Sequence, residues 1–270
     1  MKDRNPPISG KTRLYGLFAD PVDHLQTPAV FNDLLDRRGV DGVFMPFHVA
    51  PEHLAAAVAG LRHFQNCRGF GFSIPHKVAA ADLCDELLPN AQACGVVNGV
   101  RIDQDGRLIG ETFDGIGMVK AIGEQRDLDA NTRVLLVGAG GVGRAIGVAL
   151  ALAGVGFLAV ENRTPAKADE LAQTARHAAP MCVVESGSEF NLAGFDIVVN
   201  ATSLGLNGEG PMPIDISRLS GAALVAEVVM VPEVTPMLHV AQERGLAIVR
   251  GLEMLIQQVE TLGDFWGMTN

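Results

Sequence analysis

A glycine-rich segment in the middle of the chain constrains the fold more than any other feature. The apolar run Val134–Val137 leads directly into Gly138-Ala-Gly140-Gly-Val-Gly143, and a stretch rich in Ala and Val follows. A buried strand, a G-x-G-x-x-G loop and a helix in this order predict a βαβ unit that binds a dinucleotide. Gly138 permits the tight turn, Gly140 lets the backbone approach a pyrophosphate, and Gly143 lets the helix pack against the strand.

This loop is assigned to a cofactor because the N-terminus of a helix presents free N–H groups and a favourable dipole to phosphate. The alternative interpretation is a glycine-rich turn with a purely structural role. The residues assigned to cofactor binding in this loop are Gly138, Ala139, Gly140, Gly141, Val142 and Gly143.

The end of the next predicted strand indicates which dinucleotide is bound. Glu161 is a candidate for binding the ribose 2′-hydroxyl of NAD, a role that falls about 20 residues after the loop. The segment that follows offers two cations and a hydroxyl to the 2′-phosphate of NADP, through Asn162, Arg163, Thr164 and Lys167. Glu161 and Asn162 cannot both face the ribose, because successive strand residues point to opposite sides. We therefore favour NADP, the alternative for Arg163 and Lys167 being an ordinary solvated start of a helix.

Composition excludes several classes of protein. With 270 residues, 48% of them hydrophobic and 19% charged, the chain has material for about two packed domains. The formal net charge is −10 without a basic stripe, so nucleic acid is not an expected partner. The uncharged stretch Ala145–Val160 is too short and glycine-rich for a membrane span, and the N-terminus lacks an apolar signal-peptide core. Four cysteines without metal or CxxC spacing indicate reduced thiols in a cytoplasmic protein that binds no metal.

Apolar runs alternate with amphipathic stretches along the whole chain. This alternation predicts βαβ units, a mainly parallel sheet and an α/β fold. In the first half the predicted strands are Leu14–Ala19, Gly42–Val49, Gly69–Ile74, Ala93–Ile102 and Leu108–Gly110, and the predicted helices are Thr27–Arg38, Pro51–Phe64 and His76–Leu88. In the second half the strands are Arg133–Val137, Phe157–Val160, Cys182–Val184, Ile197–Asn200, Ala223–Val229 and Ala247–Val249. The helices there are Gly117–Gln125, Gly143–Ala153, Ala166–Ala178, Thr235–Arg244 and the tail Leu252–Trp266.

Short motifs in a fixed order, from about Gly16 to Trp266, resemble those of the shikimate dehydrogenase family, which includes the quinate/shikimate dehydrogenases. The motifs are Asp20-Pro-Val-Asp-His24, Ile74-Pro-His-Lys77, Gly95-Val-Val-Asn98, Gly110-x-x-x-Asp114, Gly138-Ala-Gly-Gly, Asn162-Arg-Thr164, Asn200-Ala-Thr-Ser203, Pro232-x-x-Thr-Pro236 and Gly251-Leu-x-Met-Leu-x-x-Gln258. No single motif is decisive, but the set in this order is specific.

The resemblance implies a reversible, NADP-linked oxidation of a ring hydroxyl of a cyclohexene carboxylic acid, a step of aromatic amino acid biosynthesis. It also implies two α/β domains. Residues 1–115, completed by 248–270, would bind the substrate, and residues 116–247 would form a doubly wound, Rossmann-type domain for NADP. The further cofactor-binding residues that it implies are Ala201, Thr202, Ser203 and Gly251.

Lys77 matches the catalytic lysine of the family, and Asp114 matches its catalytic aspartate. Oxidation of a secondary alcohol requires removal of the hydroxyl proton, which a lysine beside a carboxylate can carry. Without the resemblance, Lys77 is better explained as a solvated residue at the start of a helix, and Asp114 as a helix cap.

The resemblance assigns substrate contacts to Thr27, Ser73, Asn98, Phe113 and Gln258. Several positions depart from the family, including Gly71-Phe72-Ser73 before the lysine motif and Met230 before Pro232, and two of the departures remove a hydroxyl from the expected pocket. The Ser-x-Ser pair that binds the substrate carboxylate is Leu25-Gln-Thr27 here, and the Asn-Thr pair before the catalytic aspartate is Thr112-Phe113. Each lost anchor removes about 1–3 kcal/mol from the binding of a polar substrate. We therefore expect shikimate to be a weak substrate, or the pocket to fit a related, less polar ring.

Three functions follow from these observations. The leading one is an NADP-dependent dehydrogenase of the shikimate type, acting on a small cyclic hydroxy acid. The second is a specialised quinate/shikimate-like paralogue with an altered ring substrate, and the third is a non-catalytic NADP(H)-binding regulatory module. A pure sensor needs neither Lys77 nor Asp114, so their presence argues against the third. We expect the protein to assemble as a homodimer.

Overall fold

Two six-stranded sheets with surrounding helices organise the part of the chain that this computed structural model describes, which is residues 7–23, 25–188, 190–221 and 223–268. The chain divides into two units. The N-terminal unit comprises Met1–Phe113 and Gln258–Asn270, and the central unit comprises Asp114–Gln257. The predicted α/β fold class is confirmed.

The sheet of the N-terminal unit is mixed. Its strands are β1 (Arg13–Ala19), β2 (Gly42–His48), β3 (Cys67–Phe72), β4 (Glu86–Leu87), β5 (Gly99–Ile102) and β6 (Leu108–Glu111), in the spatial order β2-β1-β3-β5-β6-β4. Its helices are α1 (Thr27–Arg37), α2 (Leu54–Leu61) and α3 (Pro89–Cys94). Only β5 runs against its neighbours, so the carboxyl ends of β1, β2, β3 and β6 share one edge with the start of β5.

The sheet of the central unit is parallel throughout. Its strands are β7 (Arg133–Val137), β8 (Phe157–Glu161), β9 (Val183–Gly187), β10 (Ile197–Asn200), β11 (Leu224–Glu227) and β12 (Ala247–Val249), in the order β12-β11-β10-β7-β8-β9. Its helices are α4 (Asp114–Gly123), α5 (Gly141–Leu152), α6 (Pro165–Ala178) and α7 (Pro236–Glu243). The order in which strands are added reverses between β7 and β10: β8 and β9 lie on one side of this pair, and β11 and β12 lie on the other. Ligands of doubly wound sheets bind at such a switch point.

The last helix, α8 (Gly251–Phe265), begins in the central unit and ends in the N-terminal unit. Trp266 follows it and is buried, donating a hydrogen bond from its indole N–H to the Val100 carbonyl at 2.9 Å and stacking on Tyr15. Arg38 of the same unit donates hydrogen bonds to Glu260 and Asp264 at 2.6 and 2.8 Å. Trp266 is therefore part of the core of the N-terminal unit.

The predicted helix His76–Leu88 is wrong. Residues 74–80 form turns, a 3₁₀ turn covers Ala81–Leu83, and β4 follows. The Lys77 carbonyl accepts a hydrogen bond from the Val97 amide at 2.9 Å, so it does not accept one from the amide four residues along, as an α-helix requires.

The predicted strand Ala93–Ile102 is wrong in its first half. Its second half is β5, but residues 89–94 form α3. Pro89 at the first helical position and Gly95 in the left-handed conformation at the end of the helix are the signals that this prediction overlooked. The predicted helix Pro51–Phe64 is also shorter than expected, since it opens with a 3₁₀ turn and α2 ends at Leu61. The other predicted elements are confirmed, with their ends shifted by a few residues at most.

All four cysteines are free thiols. Burial raises the pKa of Cys67 to about 11 and that of Cys84 to about 12. Both therefore stay protonated and unreactive near neutral pH. Among the described residues, no helix combines the length and the apolar character that a membrane crossing needs.

Candidate functional site

Four residues singled out in the sequence lie along one edge of the N-terminal sheet. Backbone hydrogen bonds join the segments that carry them: the Ser73 amide donates to Phe18 at 2.8 Å, and the Phe72 amide donates to Asn98 at 3.0 Å. The structure therefore brings together Ser73, Lys77, Asn98 and Phe113 at the edge where β1, β3 and β6 end and β5 begins.

The segment that carries Lys77 is fixed on both sides. The buried His76 ring is 2.8 Å from the Val49 carbonyl through Nε2, and the Lys77 carbonyl accepts from the Val97 amide. The Lys77 side chain is half-buried. These contacts hold the backbone of Lys77 in place, so the side chain starts from a fixed point at this edge.

Asn98 is 2% exposed and organises the turn that leads into Asp114. Its Oδ1 accepts a hydrogen bond from the Phe113 amide at 2.8 Å, and its own amide donates to the Glu111 carbonyl at 3.1 Å. Its Nδ2 makes no hydrogen bond to a described residue. Asp114 is 3% exposed and is the first residue of α4. The side-chain N–H₂ of Asn98 therefore has donor capacity for a ligand.

The Phe113 ring belongs to the interior of the N-terminal unit. It is 3% exposed, and its centroid lies 5.2 Å from that of Phe265. A Cβ at Gly99 would meet this ring at 2.9 Å, so strand β5 packs directly against it. The ring fills space where the family resemblance implies a hydroxyl, and it ties the end of α8 to the sheet.

Glu111 is a residue of this edge that the sequence did not single out. Its buried carboxylate accepts hydrogen bonds from the Ala91 amide at 2.6 Å and the Thr112 amide at 2.8 Å. The first bond satisfies a free N–H in the first turn of α3. Burial raises the pKa of Glu111, against the opposing effect of these N–H donors. A glutamate at the end of an apolar strand was the available signal, and the predicted strand stopped one residue before it.

The remaining residues assigned to the substrate are farther along the chain. Thr27 is the first residue of α1 and is half-buried, as is Leu25 just before it. Gln258 lies half-buried on α8. His24, part of the first motif, lies outside the described residues. No hydrogen bond given by the structure joins Thr27 to the edge that carries Lys77 among residues 7–23 and 25–188.

In the central unit, the glycine loop between β7 and α5 has the conformation that its sequence predicts. Gly138 adopts a φ of +110°, and a Cβ there would meet the Ala201 carbonyl oxygen at 2.9 Å. A Cβ at Gly143 would meet the Gly138 oxygen at 2.1 Å, so α5 packs against the turn only with glycine there. A Cβ at Gly140 would have no described atom within 4 Å, so this face of the loop leaves room for a phosphate.

The end of β8 supports the glycine loop. The Asn162 Oδ1 accepts a hydrogen bond from the Ala139 amide at 3.0 Å, and its Nδ2 donates to the Thr164 carbonyl at 2.9 Å. Asn162 therefore orders both the loop and the start of α6. Arg163, Thr164 and Lys167 are exposed beside it. Two cations and a hydroxyl next to the glycine loop fit the 2′-phosphate of NADP.

A third loop, at residues 201–205 after β10, completes this edge. The Ala201 amide donates to the Val137 carbonyl at 2.7 Å, which places Ala201, Thr202 and Ser203 beside the glycine loop. Gly251 lies at the same edge after β12, where a Cβ would meet the Val229 oxygen at 2.4 Å. The structure gives no contact between Gly251 and the other cofactor candidates in residues 114–188, 190–221 and 223–257.

Glu227 and Asn200, at the ends of adjacent strands β11 and β10, are buried polar residues to which the sequence analysis assigned no role. Glu227 is fully buried and accepts a hydrogen bond from the Thr235 hydroxyl at 2.9 Å. A glutamate inside the otherwise apolar run Ala223–Val229 was the signal in the sequence.

Two family models match the chain. A model of the shikimate dehydrogenase substrate binding domain matches residues 17–100, and one of shikimate / quinate 5-dehydrogenase matches residues 122–206. Among curated proteins, a shikimate dehydrogenase (NADP(+)) of Geobacter sp. (strain M21) is 38% identical, over 96% of this chain and 91% of its own length. One of Lysinibacillus sphaericus (strain C3-41) is 37% identical, over 93% of this chain and 91% of its own.

Solved structures match at similar identity. A shikimate dehydrogenase in complex with NADP+ has a TM-score of 0.89 and 31% identity, over 96% of this chain and 91% of the other. Shikimate 5-dehydrogenase from Listeria monocytogenes, in complex with shikimate and NAD, has a TM-score of 0.88 and 30% identity, over 96% and 93%. A ligand-free 5-ketofructose reductase of Gluconobacter sp. strain CHM43 has a TM-score of 0.90 and 32% identity, over 96% and 94%.

Proposed function

Because this chain belongs to the shikimate dehydrogenase family, we propose that it interconverts 3-dehydroshikimate and shikimate, or a closely related cyclic ketone and alcohol, with NADP as the cofactor. It is an NADP-dependent oxidoreductase that acts on a CH–OH group. The observation that carries the residue assignments is the hydrogen-bonded edge of the N-terminal sheet, which fixes Lys77 and Asn98 on neighbouring segments.

The central unit holds the cofactor. The glycine loop 138–143 receives the pyrophosphate at the N-terminus of α5, where the first N–H groups of the helix have no acceptor within it. Arg163, Thr164 and Lys167 bind the 2′-phosphate, with Asn162 ordering the turn that presents them. Ala201, Thr202, Ser203 and Gly251 line the same edge. When bound, the cofactor would supply the hydride in its reduced form, NADPH, and accept it in its oxidised form, NADP+.

Lys77 and Asp114 are the residues assigned to the proton transfer. In the oxidation direction, the Lys77 amine takes the proton of the reacting hydroxyl, and in reduction its ammonium donates a proton to the ketone oxygen. Asp114 orients the reacting hydroxyl, since a carboxylate accepts a hydrogen bond from it. The contacts of the His76 ring and the Lys77 carbonyl hold the backbone from which this side chain extends.

Four polar side chains recognise the substrate. Asn98 donates from its Nδ2 to a ring oxygen, and the half-buried side chains of Thr27, Ser73 and Gln258 supply further hydrogen bonds. Phe113 shapes the pocket rather than binding a hydroxyl, because its ring is buried against Phe265.

A second candidate function is reduction of an uncharged polyhydroxy ketone. The specific observation is Leu25, which stands where the family resemblance implies a hydroxyl for the substrate carboxylate, together with the apolar Phe113. The 5-ketofructose reductase that matches this chain over nearly its full length takes its name from a sugar ketone. A pocket with fewer carboxylate anchors accepts a neutral ketone at less relative loss than an acid.

Kinetics with a panel of substrates test the function. We expect NADP-linked turnover, followed by nicotinamide absorbance, with shikimate weak and a close relative or neutral polyol ketone better. Leu25→Ser should improve kcat/KM for shikimate by roughly fivefold or more, since a regained anchor contributes ~1 kcal/mol or more. It should leave kcat/KM for neutral ketones unchanged.

The control is Leu152→Ser, which alters an exposed leucine of the central unit. Equal kcat/KM for shikimate in the wild type and Leu25→Ser would show that the carboxylate is held elsewhere. Absence of turnover with every cyclic acid and polyol ketone would contradict the proposed function and favour an NADP(H)-binding regulator.

We also propose that the enzyme works in the cytoplasm as a homodimer. The four free thiols fit a reducing compartment, and closed two-fold dimers are the commonest assemblies of soluble proteins. Light scattering after gel filtration should give twice the chain mass of 28.5 kDa, and the chain mass itself would contradict the dimer.

A further inference from the structure

A buried carboxyl group with no part in the proposed chemistry lies beneath the third cofactor loop. Glu227, the last residue of β11, is 0% exposed. Its Oε2 accepts the hydrogen bond from the Thr235 hydroxyl, and its Oε1 has no hydrogen-bond partner among the described residues. A buried carboxylate with one neutral donor lacks the solvation that its charge needs. Burial raises the pKa of Glu227 to about 7, against the opposing effects of the hydrogen-bonded Thr235 hydroxyl and, more weakly, of the nearby Asn200 side chain, which makes no hydrogen bond to it.

Hydrogen bonds connect this carboxyl group to the loop at residues 201–205. Asn200 is the partner of Glu227 in the register of the parallel strands β10 and β11. The Asn200 Oδ1 accepts from the Thr202 amide at 3.0 Å and the Thr202 hydroxyl at 2.7 Å, and its Nδ2 donates to the Leu204 carbonyl at 3.1 Å. A Cβ at Gly205 would lie 3.4 Å from Thr235. The loop is thus hydrogen-bonded to Asn200 and packs against Thr235, the two residues beside Glu227.

The same loop sets the shape of the glycine turn. A Cβ at Gly138 would meet the Ala201 carbonyl oxygen and the Thr202 side chain, each at 2.9 Å. A displacement of Thr202 therefore changes the space available to the turn that receives the pyrophosphate.

Charged groups on the neighbouring elements are paired with one another. Arg250, just after β12, forms ion pairs with Glu233 and Glu253. His239 and Glu243 of α7 are exposed and lie 3.4 Å apart. Within residues 190–221 and 223–257, no ion pair given by the structure includes Glu227. Ionisation of Glu227 would therefore place an uncompensated charge in the interior.

We propose that Glu227 is a positioning residue for the cofactor: its neutral form holds the loop at residues 201–205 in the arrangement that binds NADP, and its ionisation loosens that loop. This inference rests on the proposed function only in taking NADP as the ligand. It adds a pH dependence of cofactor affinity that arises away from the 2′-phosphate and its cations.

The direction follows from the charge. As pH rises through neutrality, Glu227 becomes a buried anion, which draws on the Asn200 amide and disturbs the bonds that this side chain makes to Thr202. The phosphates of NADP are also anionic, so a new negative charge at the same edge weakens binding further. Protein stability changes in the same sense, because a carboxyl group with a raised pKa stabilises the fold below its ordinary pKa and loses that effect as pH rises through the folded value.

The experiment is calorimetric titration of NADP into the full-length protein between about pH 6 and about pH 8.5, the range in which linkage to this group acts. We compare the wild type with Glu227→Gln, which keeps the shape and hydrogen-bonding capacity but cannot ionise. Glu243→Gln is the matched control, because it removes an exposed carboxylate of the same unit. As pH rises across this range, the affinity of the wild type and of Glu243→Gln for NADP should fall by roughly threefold or more compared with that of Glu227→Gln.

Parallel pH profiles for the wild type and Glu227→Gln would overturn the inference, while NADP binding by both would leave the proposed function standing. Failure of the wild type to bind NADP at any pH would overturn both. A second variant, Thr235→Val, guards against misfolding of Glu227→Gln. It removes the donor that stabilises the ionised carboxylate, so the fall in affinity should move to higher pH, and an unmoved midpoint would contradict the role of Glu227.

Discussion

The Lys77→Ala variant is expected to lose at least ~10²-fold in kcat, the lower scale of positioned acid–base catalysis, and to bind NADP with unchanged affinity. The reason is that the amine acts on the proton of the reacting hydroxyl, while the cofactor is held by the glycine loop and the end of β8. Steady-state kinetics with the best substrate of the panel give kcat and KM, and calorimetry gives the affinity for NADP.

The matched control is Lys11→Ala, which removes an exposed lysine of the same unit. A variant in which KM rises and kcat holds would make Lys77 a binding residue instead of a catalytic one. Asp114→Asn should lower kcat in the same way. The double variant Lys77→Ala with Asp114→Asn should lose little more than either single change, because residues that act as one unit are far from additive.

The Arg163→Ala variant is expected to weaken the binding of NADP by ~1.5–3 kcal/mol and leave that of NAD nearly unchanged. Arg163 follows Asn162 in the chain, and its side chain is exposed. The Asn162 side chain orders the turn between β8 and α6. Hydrogen bonds to a charged group are worth this amount, and the 2′-phosphate is the group that NADP has and NAD lacks. Parallel calorimetric titrations with the two dinucleotides measure the difference.

The control for this change is Arg176→Ala, in the last turn of α6 in the same unit. It removes a cation from the unit but not from the end of β8, so neither dinucleotide should lose affinity. Equal losses for NADP and NAD in Arg163→Ala would instead make Glu161 the residue that selects the dinucleotide.

The cofactor edge could be predicted from the sequence because its determinants are local. The positive φ of Gly138 and the close packing of Gly143 against Gly138 both arise within one short segment of the chain. The segment after Ser73 could not be predicted in the same way. Its periodicity is helical, but the carbonyl of Lys77 is bonded by Val97, and no pattern in residues 76–88 reports a partner twenty residues away.

The same reason explains why the sequence analysis assigned no role to Glu111 and Glu227. Glu111 accepts from Ala91, and Glu227 accepts from Thr235 across a turn. Each carboxyl group ends an apolar strand, where the alternation of apolar and polar residues gives no information about the far partner. A charged residue at the end of a buried strand is nevertheless a sequence signal in its own right, because its burial is costly unless it is hydrogen-bonded.

The position of Trp266 in the core of the N-terminal unit has a consequence for synthesis on the ribosome. The residues of the central unit, 114–257, all emerge before the segment 258–270 that completes the first unit. Tyr15 is translated well before its aromatic neighbour Trp266, with the whole central unit between them. The N-terminal domain of a nascent chain usually folds first. Here the N-terminal unit reaches its final packing only after the whole central unit has been translated.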